Sequence, residues 1–435
     1  MHGYKQYFKG KRVTILGLGL LGKGLGDAVF LAQCGAEITV TDMKDAKALA
    51  PSVAVLKKYK NVTFKLGGHD FADFENCDFV LKAQGVPLDS MYVAHARQNN
   101  IPIRMDDELC VSLLPKGVKV VGVTGTRGKT TTTAMIFHAL KKAGKKVHLG
   151  GNIRGVATLA LLPKIKEGDY LVLELSSWQL QGFGESKISP TVSVFTNFMP
   201  DHMNYYNNSL KHYFADKAYI FKNQTVADTL VIGESLIKKI PKTYKGKLVV
   251  ANTTDIPKAW KLSVVGEHNR ANATCAISAL RALKIPLTAI RLGMETFTAV
   301  EGRLQKVKTV RGVDIYNDNN STTPEATIAG LRSFEKGTVV LIMGGADKGL
   351  DISAMVKIAK EHASLVILLP GTGSDRIEEP EFYRATSLSD AVSAAVSSAE
   401  KGDIILFSPG FASFGMFKNE YDRNDQFLAL IKKVK

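Results

Sequence analysis

The stretch Thr124-Gly125-Thr126-Arg127-Gly128-Lys129-Thr130-Thr131-Thr132 (TGTRGKTTT) closes a β-rich run, Val118 to Thr124, and opens a helical pattern reaching about Ala143. A strand, a turn of small residues and a helix, in that order, make a phosphate cradle. Small side chains let backbone N–H groups approach phosphate oxygens, and the helix N-terminus adds positive potential. In such a loop Lys129 reaches the outer phosphates of a nucleotide and the Thr130 hydroxyl ligates Mg²⁺. The spacing is irregular, because Val123 stands where the usual phosphate loop has its first glycine. An ordinary strand–turn–helix connection is the competing reading. A lysine and two threonines at the turn count against it.

Working outward, the N-terminal side carries a second glycine turn. Arg12 to Gly17 (RVTILG) is a short β run, followed by Gly17-Leu18-Gly19-Leu20-Leu21-Gly22 and a helical pattern to about Gln33. Asp42 ends the next β run, Glu37 to Asp42. By itself this reads as a dinucleotide site, or as tight glycine packing between a strand and a helix. Further β runs lie at 61–66 and 78–82, with a helical pattern at 89–99, and Leu113 to Gly117 reads as a linker. Beyond the phosphate loop, β runs recur at 170–175, 192–196 and 230–233, and helical patterns at 269–283 and 287–297. After a break near 299–302 come β runs at 313–316, 339–343, 365–369 and 404–407. Strands alternating with helices predict parallel sheets. The expected fold is α/β, in three consecutive units: Rossmann-like over 1–112, P-loop ATPase-like over 113–300, and Rossmann-like over 301–435.

Polar residues at strand ends complete the set. Glu174 interrupts the apolar run YLVLELSSWQ, where a buried carboxylate is costly unless a cation or donor meets it. His202 lies in FTNFMPDHMNYY and Lys217 in HYFADKAYIF. Taken singly, these are a loop histidine and a snorkelling lysine. Nearer the C-terminus, Asn317 to Asn320 precedes a helix start at Thr323-Pro324, Met343 to Lys348 (MGGADK) is a glycine turn with a lysine, and Ser408 to Lys418 is another small-residue turn. Strand ends are where an α/β sheet gathers its ligands.

Composition narrows the class. The chain has 435 residues, 45% hydrophobic and 23% charged, and no apolar run of membrane-spanning length. We read no signal peptide at the N-terminus. Cys34, Cys77, Cys110 and Cys275 are far apart and read as free thiols of a cytoplasmic protein. The net charge of +16 comes from scattered lysines without interleaved aromatics, which favours anionic small substrates over nucleic acid. No membrane partner is expected, and the chain is expected to be a monomer.

The combination of GTRGKTT, LELSSWQL, DHM, FADKAYIF, GEHNRAN, the DK of the glycine turn and SPGFASFGMFKN resembles the Mur ligases, in order and over nearly the whole chain. The N-terminal glycine-rich unit and the closing SPGFASFGMFKN resemble the D-glutamate-adding members. The resemblance implies ATP-dependent ligation of D-glutamate to UDP-N-acetylmuramoyl-L-alanine through an acyl phosphate, in peptidoglycan precursor synthesis. It implies that Gly125 to Thr131 bind ATP, with Lys129 and Thr130 on the β- and γ-phosphates and the first of two Mg²⁺ ions. Glu174 bridges toward the metals, His202 ligates the second, and Lys217 matches a lysine carbamylated in the family. Asn269 and Asn272 match residues flanking the adenine, Arg303 a phosphate clamp and Asp318 a carboxylate on the ribose. Asn152 matches a contact to the sugar acid. Thr322, Lys348, Ser413 and Phe414 match the D-glutamate site. Leu20, Leu21, Asp42 and Gly85 match the uridine end.

Some positions depart from the family pattern. Lys82-Ala83-Gln84-Gly85 stands where the uridine loop has serine-proline-glycine, and Met43-Lys44 where a small hydroxyl residue and an arginine are common. Asn320 replaces a lysine, Glu420-Tyr421 a Phe-Glu pair, and Arg127 an asparagine. A folylpolyglutamate synthase-like ligase would begin directly at the ATP unit, so the N-terminal unit speaks against it. A dinucleotide-dependent oxidoreductase would leave TGTRGKTTT, Glu174, His202 and Lys217 unexplained. An inactive binding homologue is the remaining alternative.

Overall fold

The computed structural model describes residues 3–20 and 22–435. Its strands fall into three sheets, one for each expected segment. The first is built from β1 (Arg12–Leu16), β2 (Glu37–Asp42), β3 (Val62–Leu66), β4 (Phe79–Lys82) and β5 (Ile103–Arg104), in the order β3-β2-β1-β4-β5 and parallel throughout. The second takes β6 (Lys119–Thr124), β7 (Val147–Gly151), β8 (Tyr170–Glu174), β9 (Val192–Phe195), β10 (Thr229–Gly233) and β11 (Lys247–Ala251). Its order is β11-β10-β9-β6-β8-β7, again parallel. The third has β12 (Gln305–Val310), β13 (Val313–Asn317), β14 (Val339–Gly344), β15 (Ala363–Leu369), β16 (Tyr383–Arg384) and β17 (Ile404–Phe407). Here the order is β12-β13-β17-β14-β15-β16, and β12 alone runs antiparallel to its neighbour.

Interior strands match the apolar runs of the sequence because both of their faces are covered: β6, β8 and β14 are buried at almost every position. The sequence reading has no run at β5, β7, β11, β12 or β16. Each of these is a sheet edge. Edge strands are short or half polar, as in Lys247–Ala251 and Gln305–Val310, and carry no continuous apolar signal.

The chain divides into two compact units. Met1–Ile256 with Ala273–Gly293 holds the first two sheets, and Pro257–Asn272 with Met294–Lys435 holds the third. Within the first unit one apolar core runs from Phe8, Ile15 and Val40 through Leu109 and Leu159 to Leu173 and Phe195. The helix Lys23–Gln33 lies against the Ala157–Leu159 segment so closely that a side chain at Gly26 would strike the Ala157 methyl. Close glycine packing therefore continues past the Gly17–Gly22 turn into this helix.

In the second unit Phe407 of β17 stacks on Phe427 of the helix Glu420–Lys433, with ring centroids 4.2 Å apart. Phe427 is fully buried. Phe427→Ala is expected to destabilise this unit by roughly 3–5 kcal/mol, read from its urea midpoint. An unchanged midpoint would show that the pair is not part of the stabilising core.

Candidate active site

Strand order reverses at β1 and at β6, and such switch points open a crevice beyond the strand ends. At β6 the crevice receives Gly125 to Thr131. Gly125 has φ +151, and a side chain there would collide with Thr196. Gly128, at φ +81, starts the helix Lys129–Lys142. The segment after β9 holds the loop. Thr126 N–H donates to the Asn197 carbonyl (3.0 Å), Arg127 N–H to Asn197 Oδ1 (2.9 Å), and Thr196 Oγ1 to the Arg127 carbonyl (2.6 Å). The Arg127 guanidinium is ion-paired to Asp201 at 2.7 Å. Lys129 Nζ donates to the carbonyls of Gly125 and Thr126, both at 3.1 Å. Thr130 is half-buried in the first helical turn and Thr131 is buried.

Lys217, on the helix Leu210–Lys222, is 1% exposed and donates from Nζ to the same Gly125 carbonyl at 2.8 Å. Burial first, and Lys129 second, hold its ammonium far below the usual lysine range. Glu174 ends β8. Its Oε1 accepts from the Asn152 side-chain amide at 3.3 Å, and its Oε2 is buried with no hydrogen-bond partner. His202 follows β9 with φ +55, beside Trp178 (ring centroids 4.8 Å apart). Burial lowers its pKa, Lys129, Lys217 and Arg127 lower it further, and Asp201 opposes them. A neutral imidazole and an orphaned carboxylate oxygen are a donor set suited to a divalent cation. Among the described residues no trio of His, Cys, Asp or Glu is set to hold a metal, so a cation here would draw on hydroxyl, amine-derived or phosphate oxygens as well.

At the N-terminal sheet Leu20 is exposed and Leu21 lies outside the described residues. Asp42 is buried. Its Oδ2 accepts the N–H groups of Leu18 (2.8 Å) and Gly19 (3.1 Å), and its Oδ1 that of Lys44 (2.9 Å). Those N–H groups are therefore spent on Asp42, which removes the phosphate cradle a dinucleotide needs. Gly85 sits in the turn after β4. Beneath it lies Lys82, whose Nζ donates to the carbonyls of Ala83 (3.2 Å) and Val86 (2.7 Å).

The second unit gathers the other expected residues. Asn269 donates to the Val265 carbonyl (2.9 Å) and accepts from Asn272 (3.3 Å) at the start of the helix Glu267–Ala282. Asp318 is buried and fully engaged: Oδ1 takes Leu304 N–H (3.0 Å), and Oδ2 takes the hydroxyls of Ser321 and Ser408. Burial pushes its carboxyl up to about 6, while the hydroxyl donors and Arg303 pull the other way. Lys348 Nζ donates to the Thr322 carbonyl at 3.1 Å, which joins two of the expected glutamate residues. Ser413 is buried next to an exposed Phe414. Asn320 Nδ2 reaches the Glu301 carbonyl at 3.4 Å, and Tyr421 lies in the first turn of the C-terminal helix.

Some polar residues here were not singled out by sequence. Asn197 and Asp201 fix the phosphate loop, and Arg423 is wholly buried, bonded to Asn319 Oδ1 (2.8 Å), the Asn319 carbonyl (2.9 Å) and the Phe411 carbonyl (3.2 Å). Asn197 and Asp201 follow the apolar run of β9, whereas Arg423 lies within the C-terminal helix and had no such signal.

Comparison with known proteins agrees with this layout. The sequence profile of the Mur ligase middle domain matches residues 123–243, and that of the Mur ligase glutamate ligase domain matches 302–411. A UDP-N-acetylmuramoylalanine--D-glutamate ligase of Borreliella burgdorferi is 34% identical over 98% of both chains. One of the same name from Streptococcus mutans is 32% identical over 98% of both. Among solved structures, the MurF ligase of Thermotoga maritima in complex with ADP shares the fold (TM-score 0.63, 16% identity, 99% of this chain and 96% of that one). A UDP-N-acetylmuramate-alanine ligase of the same organism does so at TM-score 0.59 and 20% identity, over 98% of this chain and all of that one.

Lys82 offers a test of the buried turn. Burial lowers its pKa from 10.5 to about 8. The unfolded chain therefore holds a proton that the folded chain has lost between those values, and stability rises with pH across that window. Between about pH 8 and about pH 10 the wild type is expected to gain roughly 1–2 kcal/mol relative to Lys82→Met in urea unfolding. Parallel pH profiles for the two proteins would contradict the buried state of Lys82.

Proposed function

Because the chain belongs to the Mur ligase family, we infer that it joins D-glutamate to UDP-N-acetylmuramoyl-L-alanine at the expense of ATP, as a step of peptidoglycan precursor synthesis. One observation carries the mechanism: Lys129 and Lys217 converge on the Gly125 carbonyl at the strand end facing Glu174. A carboxylate is a poor electrophile. Transfer of the γ-phosphoryl group to it yields ADP and an acyl phosphate, the amine of D-glutamate attacks the acyl carbon, and phosphate leaves with its electron pair. Negative charge accumulates in both steps, so cationic and N–H donors supply most of the stabilisation.

We assign the residue roles from the family resemblance, with the contacts described above in support. The backbone of Gly125, Thr126, Gly128, Thr130 and Thr131 cradles the phosphates. Arg127 braces the loop through Asp201, and Lys129 turns from the loop carbonyls to the γ-phosphate. Asn269, Asn272, Arg303 and Asp318 serve the nucleotide, with the Asp318 carboxylate taken up by the Leu304 N–H and the Ser321 and Ser408 hydroxyls. Thr322, Lys348, Ser413 and Phe414 receive D-glutamate, and Asn152 the muramoyl end. Leu20, Leu21, Asp42 and Gly85 form the uridine end. Thr130, Glu174, His202 and Lys217 would hold Mg²⁺ at two sites, where it would neutralise the phosphate oxygens. The lowered basicity of Lys217 leaves an amine able to take up CO₂ as a carbamate, which would turn a cation into an anion.

A single chain carries every residue named, so we assign the activity to the monomer. Four buried free cysteines and the use of ATP support a cytoplasmic location. We place the domain borders at 112/113 and 300/301, supported by the end of the helix Asp106–Ser112 and by the profile match beginning at residue 302.

Phosphate release from ATP is expected only with both UDP-N-acetylmuramoyl-L-alanine and D-glutamate present. Equal turnover with a folate acceptor would sink the assignment. Lys129→Ala is expected to lower kcat by at least about a hundredfold. Lys217→Ala is expected to lose activity and recover part of it with added short-chain carboxylates; full activity without them would exclude the carbamate.

A further inference from the structure

A second group of buried charges lies behind the strand ends of the first unit. Lys23, the residue after the Gly17–Gly22 stretch, donates from Nζ to the Gly151 carbonyl at 3.1 Å. It is ion-paired to Asp106 at 2.9 Å and Asp107 at 3.0 Å. The Gly151 N–H donates to Thr158 Oγ1 (3.1 Å), and the Thr158 hydroxyl donates to Asp107 Oδ1 (2.5 Å). Lys23, Gly151, Thr158 and Asp107 thus form a closed ring. The other oxygen of Asp107 accepts from the Gln179 amide, and Gln179 Oε1 accepts the Ser176 N–H (2.9 Å), two residues past Glu174. One buried carboxylate grips both the strap at Gly151 and the loop after Glu174.

The strap bears directly on Glu174. Gly151 has φ +90, and a side chain there would strike the Glu174 backbone. Asn152 N–H donates to the Glu174 carbonyl at 2.8 Å, and its amide makes the one hydrogen bond recorded for the Glu174 carboxylate among the described residues. The position of that carboxylate therefore depends on where the strap is held.

We propose that Lys23 and Asp107 are positioning residues for the ligation, setting the Glu174 carboxylate through the Gly151–Asn152 strap. This rests on the reading of Glu174 given above. Charge supports it. Burial opposes the Lys23 ammonium, but Asp106, Asp107 and Asp27 outweigh burial and keep it charged. Burial raises the carboxyls of Asp27 and Asp106, the latter to about 6, and the Lys23 ammonium opposes that rise at both. A buried ion pair is an inefficient staple, since apolar side chains of equal volume hold two layers together at less desolvation cost. What the ring adds is a fixed backbone carbonyl and N–H at Gly151.

The test compares Lys23→Met, Lys23→Arg, Thr158→Val, Asn152→Ala and the Lys23→Met/Asn152→Ala double variant. It reads kcat, KM for ATP and Tm. Lys23→Met and Thr158→Val are expected to lower kcat roughly ten- to a hundredfold, with KM for ATP within about twofold of wild type. Lys23→Arg should recover most of the loss. The double variant should be little slower than its slower parent, because both changes act through one strap. Unchanged kcat per folded molecule, or losses that multiply in the double variant, would overturn the proposal. If Lys23→Met does not fold, Thr158→Val decides, since it removes one hydroxyl link. A wild-type chain without ligase activity would overturn the parent reading and the positioning role with it.

Discussion

Two lysine side chains share one carbonyl oxygen. Lys129 and Lys217 both donate to Gly125 O, at 3.1 and 2.8 Å. Like charges so close in a buried setting repel strongly, and one of them must yield its proton or be neutralised. Lys217 is the deeper of the two, and burial with Lys129 beside it holds its pKa far below the usual lysine range. In the proposed function a triphosphate would bring negative charge in front of Lys129, and a carbamate on Lys217 would bring it behind. An anionic guest would relieve the repulsion between these two lysines.

That loop is fixed by its neighbours. Thr196, Asn197 and Asp201, all just past β9, hold the backbone and the guanidinium of Arg127. Glu174 arrives from β8 and Asn152 from just past β7. Parallel strands end on one side of a sheet, so residues distant in sequence meet there without special connections. The first sheet follows the same rule, with Asp42 organising the glycine turn and Lys82 tethering the turn at Gly85. In the second unit Asp318 and Arg423 do this work for the loops after β13 and β17.

Interior strands and the phosphate loop were legible in the sequence because each has a local signature. Buried parallel strands are continuous apolar runs, and the phosphate loop is a compact string of small residues. The edges β5, β7, β11, β12 and β16 were not legible, because a strand paired on one side needs no such run. Lys23 and Asp107 were illegible for a different reason. Their significance is a closed ring linking positions 23, 107, 151 and 158, and no spacing rule connects them. Asp318 was singled out by the family resemblance, and the donors that consume its oxygens come from residues 304, 321 and 408. Tertiary pairing of this kind is decided by the fold and leaves no local trace.

In the proposed function ATP activates the muramoyl carboxylate by phosphoryl transfer before the amine attacks. Turnover of UDP-N-acetylmuramoyl-L-alanine labelled with ¹⁸O in its carboxylate, with mass analysis of the released phosphate, tests it directly. An acyl phosphate requires one labelled oxygen to leave in each phosphate. Unlabelled phosphate, or label appearing in AMP, would contradict it.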